Sequence, residues 1–190
     1  MKLPIYLDYH ATTPVDRRVL DVMLPYFLAC FGNPGSSTHE WGWKAQEAVE
    51  DARRKIAGLI GATAREIIFT SGATESNNLA IRGCADIRDS GRNGIVTSAI
   101  EHKSVLETWK RLEGAGFDIT YLPIGPDGIV DIEAARAAIS ERTLLVSVMF
   151  ANNEIGTLQP LFELSRLAHA KGALVHSDAA QAAGKVPIDV

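Results

Sequence analysis

Apolar positions along the chain follow two patterns, one typical of helices and one typical of buried strands. Between Lys44 and Ile60 the apolar residues recur at helical spacing, which predicts an amphipathic helix that stops at Gly61. Short and nearly continuous apolar runs, such as 144–148, are typical of strands that are buried on both faces. Helices and strands are therefore predicted to alternate.

In chain order, the predicted strands are short and most are separated by a predicted helix. The predicted strands are 5–7, 67–69, 95–97, 119–122, 144–148 and 173–176. The predicted helices are 16–27, 44–60, 76–88, 105–112, 132–139 and 161–170. This order predicts an α/β fold, with a mostly parallel sheet covered by helices on both faces. The carboxyl ends of the strands then lie along one edge, where ligands bind in open α/β sheets.

Composition narrows the classes of partner. The 46% of hydrophobic and 22% of charged residues are ordinary for a globular protein. A net charge of -4 without a Lys/Arg cluster disfavours direct nucleic-acid binding. No apolar run has the length of a signal peptide or a bilayer span, so we expect a cytoplasmic protein without membrane contact. Cys30 and Cys84 lie in apolar helical patterns and are expected to be buried, with no disulfide or metal site.

Four polar clusters follow predicted strands. They are 71–78, 98–103, 152–157 and 177–181. In the first, a small-residue turn precedes a helix, and the unpaired N–H groups and dipole of a helix start favour a phosphate. The others contribute a histidine, two adjacent amides and a carboxylate. Since all four follow strands of one sheet, we expect them to meet at one edge.

Each cluster also has a purely structural explanation. The Ser/Gly/Thr turn and His102 could cap helices, and Asn152 and Asn153 could form turns. Asp178 could begin a helix, with Gln181 completing a capping box. Four such caps on one sheet edge nevertheless make a chemical site the more attractive explanation.

A flat, anionic, heteroaromatic cofactor with a phosphate would use this set of groups. Its phosphate needs a helix terminus, its ring nitrogen a carboxylate, its phenolic oxygen hydrogen-bond donors, and its face an aromatic ring. Pyridoxal 5'-phosphate fits that description. Asp178, Gln181 with Asn153, and His102 match the last three needs.

The chain resembles the class V, fold-type-I pyridoxal-phosphate enzymes, and most closely the cysteine desulfurases of the housekeeping iron–sulfur assembly type. The resemblance covers essentially the whole chain and rests on YLDYHATTP (6–14), FGNP (31–34), TSGATESN (70–77), EH (101–102), NNEIG (152–156) with QP (159–160), and HSDAAQ (176–181). It implies that residues 1–15 are an arm belonging to a small domain, and that 16–190 form part of the cofactor-binding large domain.

The resemblance also implies roles for individual residues. The backbone N–H groups of Ala73 and Thr74, together with the hydroxyl of Thr74, would hold the cofactor phosphate. His102 would stack on the ring and assist proton transfer. The remaining contacts would be those of Asn153 and Gln181 with the phenolic oxygen side and of Asp178 with the ring nitrogen.

The implied activity is removal of sulfur from L-cysteine, which gives L-alanine and an enzyme persulfide. The sulfur would pass to an iron–sulfur scaffold or to another acceptor, including one for tRNA thiolation, and the implied assembly is a homodimer. Another class V enzyme, such as a selenocysteine lyase or an aminotransferase, remains an alternative. A non-catalytic short chain that acts as a binding or assembly partner is the other.

Two departures from the family pattern concern covalent chemistry. The Schiff-base lysine of the family lies in a segment beyond Asp178, and neither Lys171 nor Lys185 matches it. Neither Cys30 nor Cys84 occupies the position of the persulfide cysteine. We therefore expect the chain to be the front portion of a longer enzyme.

Overall fold

The computed structural model describes residues 3–86 and 91–190. Its helices are α1 (Arg17–Leu28), α2 (Glu40–Leu59), α3 (Ala73–Asp86), α4 (Lys103–Glu113), α5 (Ile132–Ala138) and α6 (Leu161–Ala170). Its strands are β1 (Gly94–Ser98), β2 (Asp118–Leu122), β3 (Thr143–Ser147) and β4 (Leu174–His176). A short 3-10 helix covers Ala64–Glu66, which the sequence did not predict.

The four strands form one parallel sheet in the order β2-β1-β3-β4. Ile95 of the central strand β1 is in register with Ile119 of β2 and Leu145 of β3. Because all pairs are parallel, the carboxyl ends of the strands lie along one edge of the sheet. The predicted α/β class with a parallel sheet is confirmed.

Alternate residues of the central strands pack against different helices. Ile95 and Leu145 belong to a buried cluster with Trp109 of α4. Val96, the next residue of β1, belongs to a second cluster with Leu164 of α6. Since successive side chains of a strand point to opposite faces, the two clusters show that helices cover both faces of the sheet.

The contacts divide the chain into two compact units, Met1–Phe69 with Val186–Val190, and Thr70–Lys185. The first unit contains α1, α2 and the 3-10 helix. The second contains the whole sheet and α3 to α6. The boundary predicted between residues 15 and 16 stays a prediction.

Two predicted strands are wrong. Residues 5–7 and 67–69 are irregular, and they have no partner strand among the described residues. Ile5 is 87% exposed and Ile68 is 71% exposed, so these apolar runs are not buried in the sheet. The carbonyl of Ile67 accepts a hydrogen bond from the Arg53 guanidinium instead of from a neighbouring strand. An apolar run forms a strand only when a partner strand satisfies its backbone groups.

The expectation for Cys30 is also wrong. Helix α1 ends at Leu28, and Cys30 is exposed beyond that end. Cys84 is half-buried and packs against the cluster of Ile95 and Trp109, where burial raises the pKa of its thiol. Neither forms a disulfide.

Helix bounds differ from the predicted ones mainly at the start of α2. His39 caps this helix, because its Nδ1 accepts a hydrogen bond from the backbone N–H of Gly42 at 3.3 Å. The helix therefore begins at Glu40, before the predicted start at Lys44. The predicted end of the third helix, at residue 88, lies outside the described residues. None of the helices described has both the length and the apolar character needed to cross a bilayer.

Leu164 tests the packing of α6 on the sheet. Leu164 is 0% exposed, whereas Leu79 on α3 is 52% exposed. We expect Leu164→Ala to lower the free energy of unfolding by roughly 2–5 kcal/mol because it opens a cavity in the core. Leu79→Ala is the matched control and is expected to change it by less than about 1 kcal/mol. Urea denaturation of both variants measures the difference, and equal losses would contradict this packing.

Candidate cofactor site

The first polar cluster forms the start of α3. The Glu75 carboxylate accepts hydrogen bonds from the backbone N–H of Ser71 at 2.7 Å and from its hydroxyl at 2.6 Å. These bonds lower the pKa of Glu75. The helix begins at Ala73, so the N–H groups of Ala73 and Thr74 have no acceptor within the helix. The turn is thus fixed by its own side chains while the helix start stays able to receive an anion.

The second cluster places His102 at the start of α4. His102 is the capping residue of this helix, and its Nδ1 accepts a hydrogen bond from the backbone N–H of Ser104 at 3.2 Å. The Ser104 hydroxyl oxygen lies 2.8 Å from the same nitrogen. The ring is exposed, so the cap holds an accessible imidazole in a defined orientation.

The carboxylate of Asp178 is buried just after β4. Its Oδ1 accepts a hydrogen bond from the backbone N–H of Ala180 at 3.0 Å, and its Oδ2 accepts one from Asn77 Nδ2 at 2.7 Å. Asp178 is 7% exposed and Asn77 is 4% exposed. A carboxylate can accept about four hydrogen bonds, so these two leave capacity for a further donor.

The predicted amide groups have different local partners. Asn153 donates to Glu154 Oε1 at 3.1 Å, and Gln181 Oε1 accepts from the ammonium group of Lys185 at 2.7 Å. Asn152 organises its loop, because its Oδ1 accepts from the backbone N–H groups of Glu154 and Ile155. The turn-forming explanation therefore holds for Asn152.

Hydrogen bonds bring three of the four clusters together. Asn77 of α3 donates to Asp178 and, at 3.1 Å, to the hydroxyl of Ser104 in α4. The remaining cluster, 152–157, is linked to the cluster 98–103 by the Asn152 amide, which donates to the carbonyl of Ile100 at 2.9 Å. The side chains of Asn153 and Gln181 make the contacts given above. Of the predicted site residues, these bonds reach Asp178 directly, and the links are made by Asn77 and Asn152, to which sequence reasoning gave no cofactor contact.

Glu101 is a buried acid that sequence reasoning did not assign to the site. It is 5% exposed, and its Oε1 accepts from the Ser98 hydroxyl at 2.6 Å and the Met149 backbone N–H at 2.9 Å. Its Oε2 is buried and has no hydrogen-bond partner among the described residues. Burial raises its pKa to about 7, and the negative charge of Asp178 adds to this effect. Its position directly before His102 was the available sequence signal.

The comparisons with known proteins identify the family of this chain. The model of the family described as aminotransferase class-V matches residues 5–190. The chain belongs to the class-V aminotransferase family. Members of this family use pyridoxal 5'-phosphate, so the predicted resemblance and cofactor are confirmed.

Individual relatives are named cysteine desulfurases or NifS-like proteins. The chain is 56% identical over 190 residues to "Cysteine desulfurase IscS" of Rickettsia massiliae. This match covers 100% of the chain and 46% of that protein. Among solved structures, a "NIFS-like protein" matches 99% of this chain and 52% of its own, with a TM-score of 0.94 and 42% identity. "SspA in complex with cysteine" matches 97% and 53%, with a TM-score of 0.92 and 43% identity. The chain thus spans about half the length of the relatives it matches.

The residues present fit pyridoxal 5'-phosphate. A helix start suited to a phosphate, an exposed imidazole and a buried carboxylate with spare acceptor capacity are the groups that this cofactor requires. The buried carboxylate is the most selective of these, because burying an ionised acid is costly unless donors meet it. A protonated ring nitrogen is such a donor.

Glu101 predicts a pH-dependent stability. Between pH 4.5 and about 7 the folded protein keeps a proton on Glu101 that the unfolded chain releases, so the free energy of unfolding falls as the pH rises. The contribution is complete below pH 4.5 and is lost as the pH passes about 7, amounting to roughly 3 kcal/mol. Urea denaturation of the cofactor-free protein from about pH 5 to about pH 8 should show this slope.

The slope should be absent in Glu101→Gln, which cannot titrate. The control is Glu107→Gln, which removes an exposed acid whose pKa is lowered by Lys110 and which stays ionised throughout this range. An unchanged slope in Glu101→Gln would show that another group is responsible.

Proposed function

We propose that this chain provides the cofactor-binding part of a pyridoxal-phosphate-dependent cysteine desulfurase. The observation that carries the proposal is the buried Asp178 carboxylate, which is joined by hydrogen bonds through Asn77 and Ser104 to His102. The curated relatives named cysteine desulfurase, which are 56% identical over the chain, support this choice within the family.

Each predicted site residue has a task in this proposal. The N–H groups of Ala73 and Thr74, with the Thr74 hydroxyl, hold the phosphate at the start of α3. Asp178 would accept a hydrogen bond from the protonated ring nitrogen, and its negative charge would keep that nitrogen protonated. When bound, the cofactor supplies an electron sink for the negative charge that develops on the substrate.

The remaining residues orient the ring and move protons. Nδ1 of His102 accepts hydrogen bonds from Ser104, so the neutral ring carries its proton on Nε2, and the exposed ring stacks on the cofactor. Proton transfer to and from the substrate is assigned to this histidine. Asn153 and Gln181 contact the phenolic oxygen side.

The overall reaction proposed is removal of sulfur from L-cysteine, giving L-alanine and a persulfide on an enzyme cysteine. The acceptor is an iron–sulfur scaffold or another sulfur-acceptor protein, including one that serves tRNA thiolation. We propose a cytoplasmic homodimer that does not bind nucleic acid directly, in keeping with the net charge of -4. The cofactor-linking lysine and the persulfide cysteine are assigned to a part of the protein outside residues 1–190.

The alternatives have less support. A selenocysteine lyase or an aminotransferase would share the phosphate turn and the carboxylate. The names of the curated relatives and the cysteine complex among the structural neighbours favour a thiol amino acid as substrate. No comparable observation favours a non-catalytic assembly partner.

Asp178→Asn tests the proposed partner of the ring nitrogen. In the protein expressed from the complete coding sequence, we expect the cofactor to remain bound while alanine formation falls by about 100-fold or more, because an amide does not keep the ring nitrogen protonated. Asp131→Asn is the control, since Asp131 caps α5 and asparagine caps equally well. Near-normal alanine formation by Asp178→Asn would remove the main support for the proposal.

Thr74→Ala tests the phosphate turn. Loss of one hydroxyl partner of a charged phosphate is expected to weaken cofactor retention by roughly 1–3 kcal/mol. Thr74→Ser keeps the hydroxyl and is expected to retain the cofactor as the wild type does. Equilibrium dialysis against pyridoxal 5'-phosphate measures both, and identical retention by Thr74→Ala would reduce the turn to a helix cap.

A further inference from the structure

Asn77 is a buried residue of α3 whose amide reaches two other elements. Nδ2 lies 2.7 Å from Asp178 Oδ2 and 3.1 Å from Ser104 Oγ. An ionised carboxylate only accepts hydrogen bonds, so the amide must turn its nitrogen toward Asp178. An amide nitrogen carries two hydrogens, and both are committed, one to each partner.

The direction of the remaining hydrogen bonds follows from this amide. Ser104 Oγ accepts from Asn77, so its own hydrogen is available for His102 Nδ1, which lies 2.8 Å away. The backbone N–H of Ser104 donates to the same nitrogen at 3.2 Å. One amide thus contributes to the hydrogen bonding of Asp178 at one end and, through the Ser104 hydroxyl, to that of His102 at the other.

We propose that Asn77 is a positioning residue that fixes Asp178 and His102 together for the bound cofactor. Its amide keeps Asp178 Oδ2 as an acceptor and, through Ser104, keeps the His102 ring in the form that carries its proton on Nε2. The inference rests on the proposed function, because that function makes both residues cofactor contacts.

The position of Asn77 on α3 suits this role. Thr74 lies one helical turn earlier, and residues three apart are neighbours on a helix surface. The helix that presents its first N–H groups to the phosphate therefore also carries the amide that orients the groups assigned to the ring. A shift of α3 would disturb both ends of the site.

A role in folding alone makes a different prediction from a positioning role. Asn77 also links α3 to α4 and to the segment after β4, so its loss would cost stability in either case. Only a positioning role changes the hydrogen bonding of His102 and the protonation of the bound cofactor ring. The test therefore follows these two properties and not stability.

The main variant is Asn77→Asp, made in the protein expressed from the complete coding sequence. The new side chain has nearly the same shape, and two buried carboxyl groups this close share one proton, which leaves the oxygen that faces Ser104 as an acceptor only. Ser104 is therefore expected to donate to this oxygen and no longer to His102. In nitrogen NMR of cofactor-free, histidine-labelled protein, the His102 Nδ1 signal should move toward that of a nitrogen with fewer donors. In the loaded protein, the pH profile of cofactor absorption should shift and kcat should fall on the order of 10- to 100-fold.

Variants of Ser104 separate the effect on His102 from the effect on Asp178. Ser104→Ala is expected to move the His102 Nδ1 signal while the pH profile of cofactor absorption stays as in the wild type. Ser104→Thr retains the hydroxyl and should restore the Nδ1 signal. These two variants also decide the question for His102 if Asn77→Asp does not fold, since an unmoved Nδ1 signal in Ser104→Ala would overturn the proposal.

Asn93→Asp is the matched control for charge. Asn93 also donates its amide to a carboxylate, Asp118 Oδ2, at 3.0 Å, but at an exposed position. Both His102 Nδ1 and cofactor absorption should remain as in the wild type. If Asn77→Asp also leaves both unchanged, Asn77 has no positioning role. If the wild type neither retains pyridoxal 5'-phosphate nor releases sulfur from cysteine, the proposed function fails, while the NMR arm on cofactor-free protein still decides the link to His102.

Discussion

The hydrogen bond between Asn77 and Asp178 is the contact on which the site depends. It joins side chains 101 positions apart in the chain, both of them buried. An isolated buried carboxylate costs several kcal/mol, and donors reduce that cost without cancelling its charge. An arginine or lysine in place of Asn77 would neutralise Asp178 and compete with a positively charged ring. A neutral amide leaves the carboxylate available for its proposed contact with the cofactor.

Sheet topology explains why such distant residues meet. In a parallel sheet the segments that follow β1, β3 and β4 all leave from one edge, so residues after separate strands become neighbours. Backbone contacts extend this arrangement past the strands, since the N–H of Phe150 donates to the carbonyl of Asp178 at 3.0 Å. Helix α3, packed through Ile81 on the sheet, brings Asn77 to that edge.

The sequence predicted the fold better than it predicted the contacts. Helical spacing of apolar residues located the helices described above, and short apolar runs located the strands of the sheet. The signal is clearest for β1 and β3, which are buried along nearly their whole length. The run at 67–69 misled because strand pairing depends on a partner that local sequence does not reveal. Sequence reasoning did not assign Asn77 and Glu101 to the site for a related reason. Burial of a polar side chain is decided by tertiary packing, and helical spacing around Asn77 predicted only that a helix was present.

The capping and cofactor explanations turn out to be compatible at His102. As the cap of α4, this histidine accepts the Ser104 N–H at Nδ1, which fixes the ring and selects the nitrogen that carries the proton. A ring held only by stacking could rotate or exchange its proton between the two nitrogens. The structural bond would therefore supply the order that the proposed proton transfer requires, because a general acid or base acts efficiently only when the correct atom faces its partner. The same holds for Asp178, whose bond to the Ala180 N–H orients the carboxylate whether or not a cofactor is bound.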